Sequence, residues 1–285
     1  MHNYNQEARK TDMIDFVSVF LYTIICVIQD EYNDGGNVFT LNIIMSEKLY
    51  VVMPAYNEES NIGAVIEEWY AVLEGKSKDS RLVIADKGST DGTHDVIMEK
   101  IKNGYSKLEV IDTNSQFHGP KVIALYDYAI KNGADFVFQT DSDGQTSASE
   151  FDHFWNYRND FDGIFGHRTV RGDGKDRAFV EKVVCLLVRF YFGVDIPDAN
   201  APFRLMRTDV LKKYLYRMSS DYNLPNIMVT TFFKKYGERV CFEPITFKPR
   251  TAGKNSINIP RIVKIGWNAL SDFSAFKKGM KEINV

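Results

Sequence analysis

Short apolar runs separated by helical stretches constrain this chain more than any other feature. The runs are Leu49 to Met53, Arg81 to Ala85, Leu108 to Ile111, Phe136 to Thr140 and Gly163 to Phe165. Helical patterns fall between them, near Ile62 to Leu73, Thr93 to Lys102, Lys121 to Lys131 and Glu150 to Tyr157. That alternation reads as a layered α/β domain with a mainly parallel central sheet flanked by helices, each helix serving as a crossover. From Asp162 onward the pattern loosens into longer helices (Arg177 to Phe192, Arg207 to Tyr216, Asn226 to Tyr236) and a strand at Arg239 to Phe247. No linker, repeat or low-complexity tract divides the two halves.

With 285 residues, 44% of them hydrophobic, the chain has enough apolar surface for a sizeable core, and global disorder is excluded. Its formal charge of -3, from 35 basic and 38 acidic residues, offers no field for a polyanion, so nucleic acid is not an expected partner. Cys26, Cys185 and Cys241 are odd in number and far apart, which fits neither a disulfide framework nor a thiolate metal site and points to a reducing cytoplasmic setting. No run approaches the roughly 20 apolar residues of a membrane-spanning helix. The nearest, Phe16 to Ile28, is short, is preceded by Asp15 and has no small-residue cleavage site after it, which argues against a signal peptide. Residues 1–44 therefore read as an extension outside the main fold, with Met45 as an alternative start.

Polar turns follow the strands, at the end of an open α/β sheet where ligands bind. In Asp141-Ser142-Asp143-Gly144-Gln145, two carboxylates at i and i+2 can converge on one hard cation, with the Gln145 amide as a neutral ligand. Mg²⁺ or Mn²⁺ suits such oxygen donors, and it neutralises the charge that builds on a departing diphosphate. Taken alone, the triplet reads more readily as a solvated turn after a strand. The neighbouring turns carry matching chemistry. Pro54-Ala55-Tyr56-Asn57-Glu58-Glu59 sets a ring, an amide and carboxylates at the first strand tip, and Asp86-Lys87-Gly88-Ser89-Thr90-Asp91-Gly92-Thr93 sets a carboxylate at the second. In that second turn Asp91 reads as a helix N-cap. His118 and Lys121 stand where the third crossover helix begins, a place that suits a phosphate.

In this order the three turns resemble the family 2 glycosyltransferases, in particular the branch of dolichyl-phosphate and polyprenyl-phosphate sugar transferases. Gly166-His167-Arg168, Asp198-Ala199-Asn200-Ala201-Pro202-Phe203-Arg204 and Arg250-Thr251-Ala252-Gly253-Lys254-Asn255-Ser256 are similar to later elements of that family. Lys87 stands where the family usually has a second acid, Ala201-Pro202 replaces a small-Gly pair, and the Gln-x-x-Arg-Trp element of processive synthases is absent. The resemblance implies a GT-A type fold over residues 45–258 and inversion at the anomeric carbon. It implies nucleotide-sugar contacts from Pro54, Tyr56, Asn57, Glu58, Ile84, Asp86, Lys121, Asp141 and Ser142, and a metal at Asp141, Asp143 and Gln145. It further implies catalytic roles for Asp143, Asp198 and Arg204, and phosphate or acceptor contacts from Arg168, Arg204, Arg250 and Lys254. The expected donor is a GDP- or UDP-sugar, and the acceptor a polyprenyl phosphate or a glycan precursor. A hydroxyl acceptor would need a general base, for which Asp198 is the candidate; its other reading is a hydrogen bond to Arg204. A catalytically silent nucleotide-sugar binder is the alternative outside enzyme chemistry.

Residues 251–285 hold six basic residues against two acidic ones. Ile259, Val263, Trp267, Leu270 and Phe273 recur at helical spacing. Such a stripe either lies on an anionic membrane surface through 259–281 or packs on the core. The expected location is the cytoplasm, with any peripheral contact on the cytoplasmic face of a membrane.

Overall fold

The computed structural model describes residues 47–172, 174–249 and 270–278. Seven strands form one sheet: β1 (Leu49–Pro54), β2 (Arg81–Ala85), β3 (Leu108–Val110), β4 (Phe136–Thr140), β5 (Gly163–Arg171), β6 (Phe203–Arg207) and β7 (Val240–Phe247). Their order is β3-β2-β1-β4-β6-β5-β7. All pairings are parallel except those of β6, which runs against both β4 and β5. Seven helices connect them: α1 (Glu59–Ala71), α2 (Thr93–Lys102), α3 (His118–Lys131), α4 (Phe151–Asn156), α5 (Lys175–Phe192), α6 (Thr208–Leu215) and α7 (Pro225–Lys235).

Every residue of β1 and β4 is buried, since helices cover both faces of the sheet. Alternate side chains supply two separate cores. Leu49, Val51, Met53, Leu82, Ile84, Phe136 and Phe138 pack with α1, α2 and α4. Tyr50, Val52, Val83 and Val137 pack on the other side with α3, α5, α6 and α7. Trp69 of α1 is the largest buried side chain of the first core, stacked 5.1 Å from Phe138 and edge-on to Phe151 and Phe203. The helix at 270–278 belongs to the second core: Phe273 is buried against Tyr191 and Phe192. For that residue of the C-terminal stripe core packing replaces the lipid contact, whereas Ile259, Val263 and Trp267 lie outside the described residues.

Two sequence expectations need correction. β5 runs nine residues rather than three, because its second half pairs with β7. The segment expected to present Arg204 to a phosphate is instead strand β6, in the middle of the sheet, with Arg204 opposite both Gln139 and Phe165. Arg204 is wholly buried. Its guanidinium donates to the carbonyls of Ala201 (3.1 Å), Asn226 (2.9 Å) and Ala199 (3.1 Å) and to the Thr230 hydroxyl, and lies 4.8 Å from the Phe165 ring centre. A guanidinium so committed is a strut between β6 and α7. It does not line the cavity described below, and with its donors engaged inside the protein it is unsuited to bind an acceptor.

Removing that strut would strand several buried carbonyls and open a void. Arg204→Ala should therefore lower the unfolding free energy by about 3–5 kcal/mol, measured by urea unfolding. An unchanged midpoint would return Arg204 to the catalytic and phosphate-contact role that the resemblance implied.

Candidate active site

The tips of β1 and β4, the start of α3 and the segment before α7 enclose a cavity of about 1150 Å³. Clefts for small ligands are typically about 300–1,000 Å³, so this one has room for a nucleotide sugar and part of a second substrate. Of the expected residues, Pro54, Tyr56, Glu58, Lys121, Asp141, Ser142, Asp143, Gln145 and Arg168 all line it.

The acidic turn is held from several sides. Gly144 takes φ +71°, a conformation that favours glycine, and so folds the chain back after Asp143. Asp143, almost buried, accepts the Gln145 backbone N–H at 3.1 Å. The Ser142 hydroxyl donates to the Pro54 carbonyl at 3.0 Å, fixing the tip of β4 to the tip of β1. Gln145 both donates its side-chain amide to the Lys248 carbonyl and accepts the Lys248 N–H, each at 2.7 Å, which ties the turn to the end of β7. Asp141 takes hydrogen bonds at 3.2 Å from the Gln139 amide and the His118 ring.

Behind Asp141 runs a buried chain that the sequence reading missed. Tyr126 donates to the Asn226 side-chain oxygen at 2.9 Å, Asn226 donates to Gln139 at 3.0 Å, and Gln139 donates to Asp141. Burial pushes the Tyr126 phenol up to about 12, so it stays a donor. A glutamine within the apolar run Phe136-Val137-Phe138-Gln139-Thr140 was the available signal. A polar side chain buried in a central strand must find a partner.

Lys121 is buried rather than solvating its turn. Its ammonium donates to the Ala55 carbonyl at 2.6 Å and lies 5.4 Å from the Tyr56 ring centre. Burial lowers its pKa to about 8, against the pull of Asp86. Gly119, two residues earlier in α3, is needed for close approach: a Cβ there would fall 2.5 Å from the backbone of Tyr222 and Asn223.

The second loop plays a different part from the one expected. Asp86 is nearly buried, pairs with the His94 ring at 2.9 Å and does not line the cavity. Asn57, with φ +54°, accepts the Thr90 N–H at 2.7 Å and donates its own N–H to Ser89, so it binds the first loop to the second. Ile84 points into the core on the α1 side and meets no ligand space. The N-cap of α2 is Gly92, not Asp91. Asp91 instead accepts the N–H groups of Thr93 and Glu59 and joins α1 to α2.

Asp198 is corrected as well. Its partner is Arg168, not Arg204, and both its oxygens are occupied: one accepts the Arg168 N–H and Nε–H, the other the Arg168 Nη2–H (2.8 Å) and the Asn200 N–H. Burial opposes its ionisation, but Arg168 outweighs that and holds its pKa below the ordinary carboxylate value. Glu181 of α5, 3.0 Å from the same guanidinium, is raised by burial and by the Asp198 charge. A low-pKa carboxylate with both oxygens engaged, outside the cavity wall, is unsuited to general-base duty. Arg168 stays on the cavity wall, over the Phe247 ring at 5.3 Å. Arg250 and Lys254 lie outside the described residues.

Two carboxylates and an amide on one wall are hard oxygen donors that fit a Mg²⁺ or Mn²⁺ ion, and they leave coordination positions for diphosphate oxygens and water. Among the described residues no group of three or more acid, histidine or cysteine side chains is placed to hold a metal ion.

Comparison with known proteins follows this geometry. The chain is 24% identical over 236 residues to polyprenol monophosphomannose synthase of Mycolicibacterium smegmatis, covering 80% of this chain and 88% of that one. It is 25% identical to a dolichyl-phosphate beta-glucosyltransferase of Trichomonas vaginalis, covering 76% of this chain and 66% of that one. Among solved structures it is similar to glucosyl-3-phosphoglycerate synthase of Mycobacterium tuberculosis in complex with Mn²⁺, UDP-glucose and phosphoglyceric acid. The TM-score is 0.61 at 15% identity, over 82% of this chain and 80% of that one, a likeness that establishes the GT-A fold. Residues 50–215, more than half of the chain, match the family described as Glycosyl transferase family 2, and the protein belongs to that family.

Proposed function

We propose that this chain transfers a sugar, with inversion, from a GDP- or UDP-sugar to a polyprenyl phosphate, using Mg²⁺ or Mn²⁺. The observation that carries the reading is the convergence of Asp141, Asp143, Lys121 and Arg168 on one cavity. The names of the M. smegmatis and T. vaginalis relatives, both lipid-phosphate sugar transferases, support the acceptor class. The Mn²⁺ and UDP-glucose of the M. tuberculosis complex support the donor and the metal.

In this reading Asp141 and Asp143 hold the cation, with Gln145 beside them. When bound, the ion supplies a counter-charge to the diphosphate as its bond to the sugar breaks. Tyr56 offers a face to the nucleoside, and Lys121 sets a buried positive charge beside the diphosphate. Ser142 and the Tyr126–Asn226–Gln139 chain keep the carboxylates aimed. Arg168 faces the acceptor phosphate. One acceptor oxygen attacks the anomeric carbon from the side opposite the leaving group, forming the sugar–phosphate bond as the nucleoside diphosphate departs. An ionised phosphate needs no base, and the engagement of Asp198 with Arg168 favours it over a hydroxyl acceptor. We also assign residues 45–258 to the catalytic unit.

Thermal-shift titration tests the donor and the metal together. A UDP- or GDP-sugar should raise the midpoint only when Mn²⁺ or Mg²⁺ is present, and EDTA should reverse the rise. Asp143→Ala should abolish it; a full shift in that variant would remove the assigned metal site.

Lys121 makes the site pH-dependent. Its ammonium is present below about 8 and is lost as pH rises through that value. Diphosphate affinity should therefore fall between pH 7 and 9, by about tenfold if a charge-assisted contact is lost. Lys121→Met should bind weakly at pH 7 and show a flat profile in calorimetry. A parallel slope in wild type and variant would show that another group titrates.

A further inference from the structure

We propose that the outer face of α5 is a docking surface for an anionic lipid bilayer. Phe179, Val183, Leu186 and Phe190 recur at steps of four, three and four residues, so they form one stripe along the helix. Their side chains are 67%, 39%, 65% and 75% exposed. The opposite face is fully used: Val188 and Phe192 are buried in the core, with Val184, Cys185, Leu187 and Tyr191 packed against it. The helix is thus anchored on one side and apolar on its water-facing side. Soluble surfaces rarely carry such an apolar strip without a partner.

The charges on this helix choose between partners. Lys182 and Arg189 are exposed and interleave with the stripe, whereas Glu181 turns inward to Arg168 and to the Ala199 N–H. Of the exposed α5 side chains that are described, only Asp176, in the first turn, is acidic. Phe and Leu flanked by Lys and Arg suit the boundary between acyl chains and anionic headgroups. A two-fold pairing of this face with a second copy would instead bring the basic residues Lys182 and Arg189 of one copy toward those of the other.

Position adds a third argument. Arg177, in the first turn of α5, lines the cavity, as does Arg168, which is paired to α5 through Glu181. A bilayer seated on α5 therefore lies beside the cavity, where a phosphate on a lipid tail enters without leaving its membrane. This last step rests on the acceptor assigned above; the docking surface itself does not.

The test mixes the full chain with sucrose-loaded vesicles of phosphatidylcholine alone or with phosphatidylglycerol. Wild type should sediment with the anionic vesicles, and added salt should weaken the binding. The paired substitution Leu186→Asp and Phe190→Asp, at exposed positions, should lower partitioning by more than about tenfold. The thermal midpoint and the nucleotide-sugar shift should not move. Lys182→Glu with Arg189→Glu should remove the preference for anionic lipid and its salt dependence. Equal partitioning of wild type and the Asp variant would overturn the proposal, as would failure of wild type to bind anionic vesicles. A wild-type dimer that the Asp variant splits, with vesicle binding unchanged, would assign the face to a second copy. Loss of vesicle binding in the Asp variant would uphold the docking surface even if no sugar reached any lipid phosphate, and that second result would count against the acceptor alone.

Discussion

A guanidinium sealed from water organises the centre of this molecule. Arg204 draws in the carbonyls of Ala199, Ala201 and Asn226, and so joins strand β6 to helix α7. A buried cation answered by neutral dipoles tolerates little drift, since each acceptor lost leaves charge unscreened in a low dielectric. The residue that Arg204 clamps by its carbonyl, Asn226, reaches in the opposite direction with its side chain and orients Gln139, which in turn holds Asp141. Core geometry is thereby passed, bond by bond, to a carboxylate on the cavity wall. The site inherits its rigidity from the sheet and does not have to create it in its loops.

The same economy appears around Arg168. One cation serves two carboxylates, and it serves them unequally: Asp198 receives two contacts at 2.8 Å and stays ionised, while Glu181 meets a single contact and is pushed toward its neutral form. Arg168 borders the cavity while it is paired with both carboxylates. Phe247 backs the guanidinium from β7, so the arginine is aimed by contacts from three elements.

Much of the layered fold was legible in the sequence because strands covered on both faces are mostly apolar, as β1, Leu82 to Ala85 of β2 and Phe136 to Phe138 of β4 are. The acidic turn stood out only because the neighbouring strand tips carry matching polar turns; two carboxylates two residues apart after a strand would alone read as a solvated turn. Legibility ended where polar side chains are buried. Phe203-Arg204-Leu205-Met206-Arg207 carries a charged residue at its second position and did not read as a strand, although Arg204 is satisfied from within the protein. Asn57 and Asp86 were read as nucleotide-sugar contacts and Asp198 as a candidate base, and the structure pairs them with Thr90, His94 and Arg168. Residue type states what a group can bind, and only the fold decides which partner reaches it first. The stripe on α5 was missed for a related reason, because an outward apolar face and an inward one have the same periodicity.

The reversal of β6 has an effect on how the cavity rim can vary. Thr140, where β4 ends, stands opposite Phe203, where β6 begins. The chain leaving one strand and the chain entering its neighbour therefore surface at the same edge. Five consecutive residue pairs lock the register between the two. Insertions or deletions in the long excursion from β5 through α5 to β6 can then remodel the far wall while the carboxylate turn keeps its place. The carboxylate turn is held in place separately, by the reciprocal bonds between Gln145 and Lys248 at the end of β7.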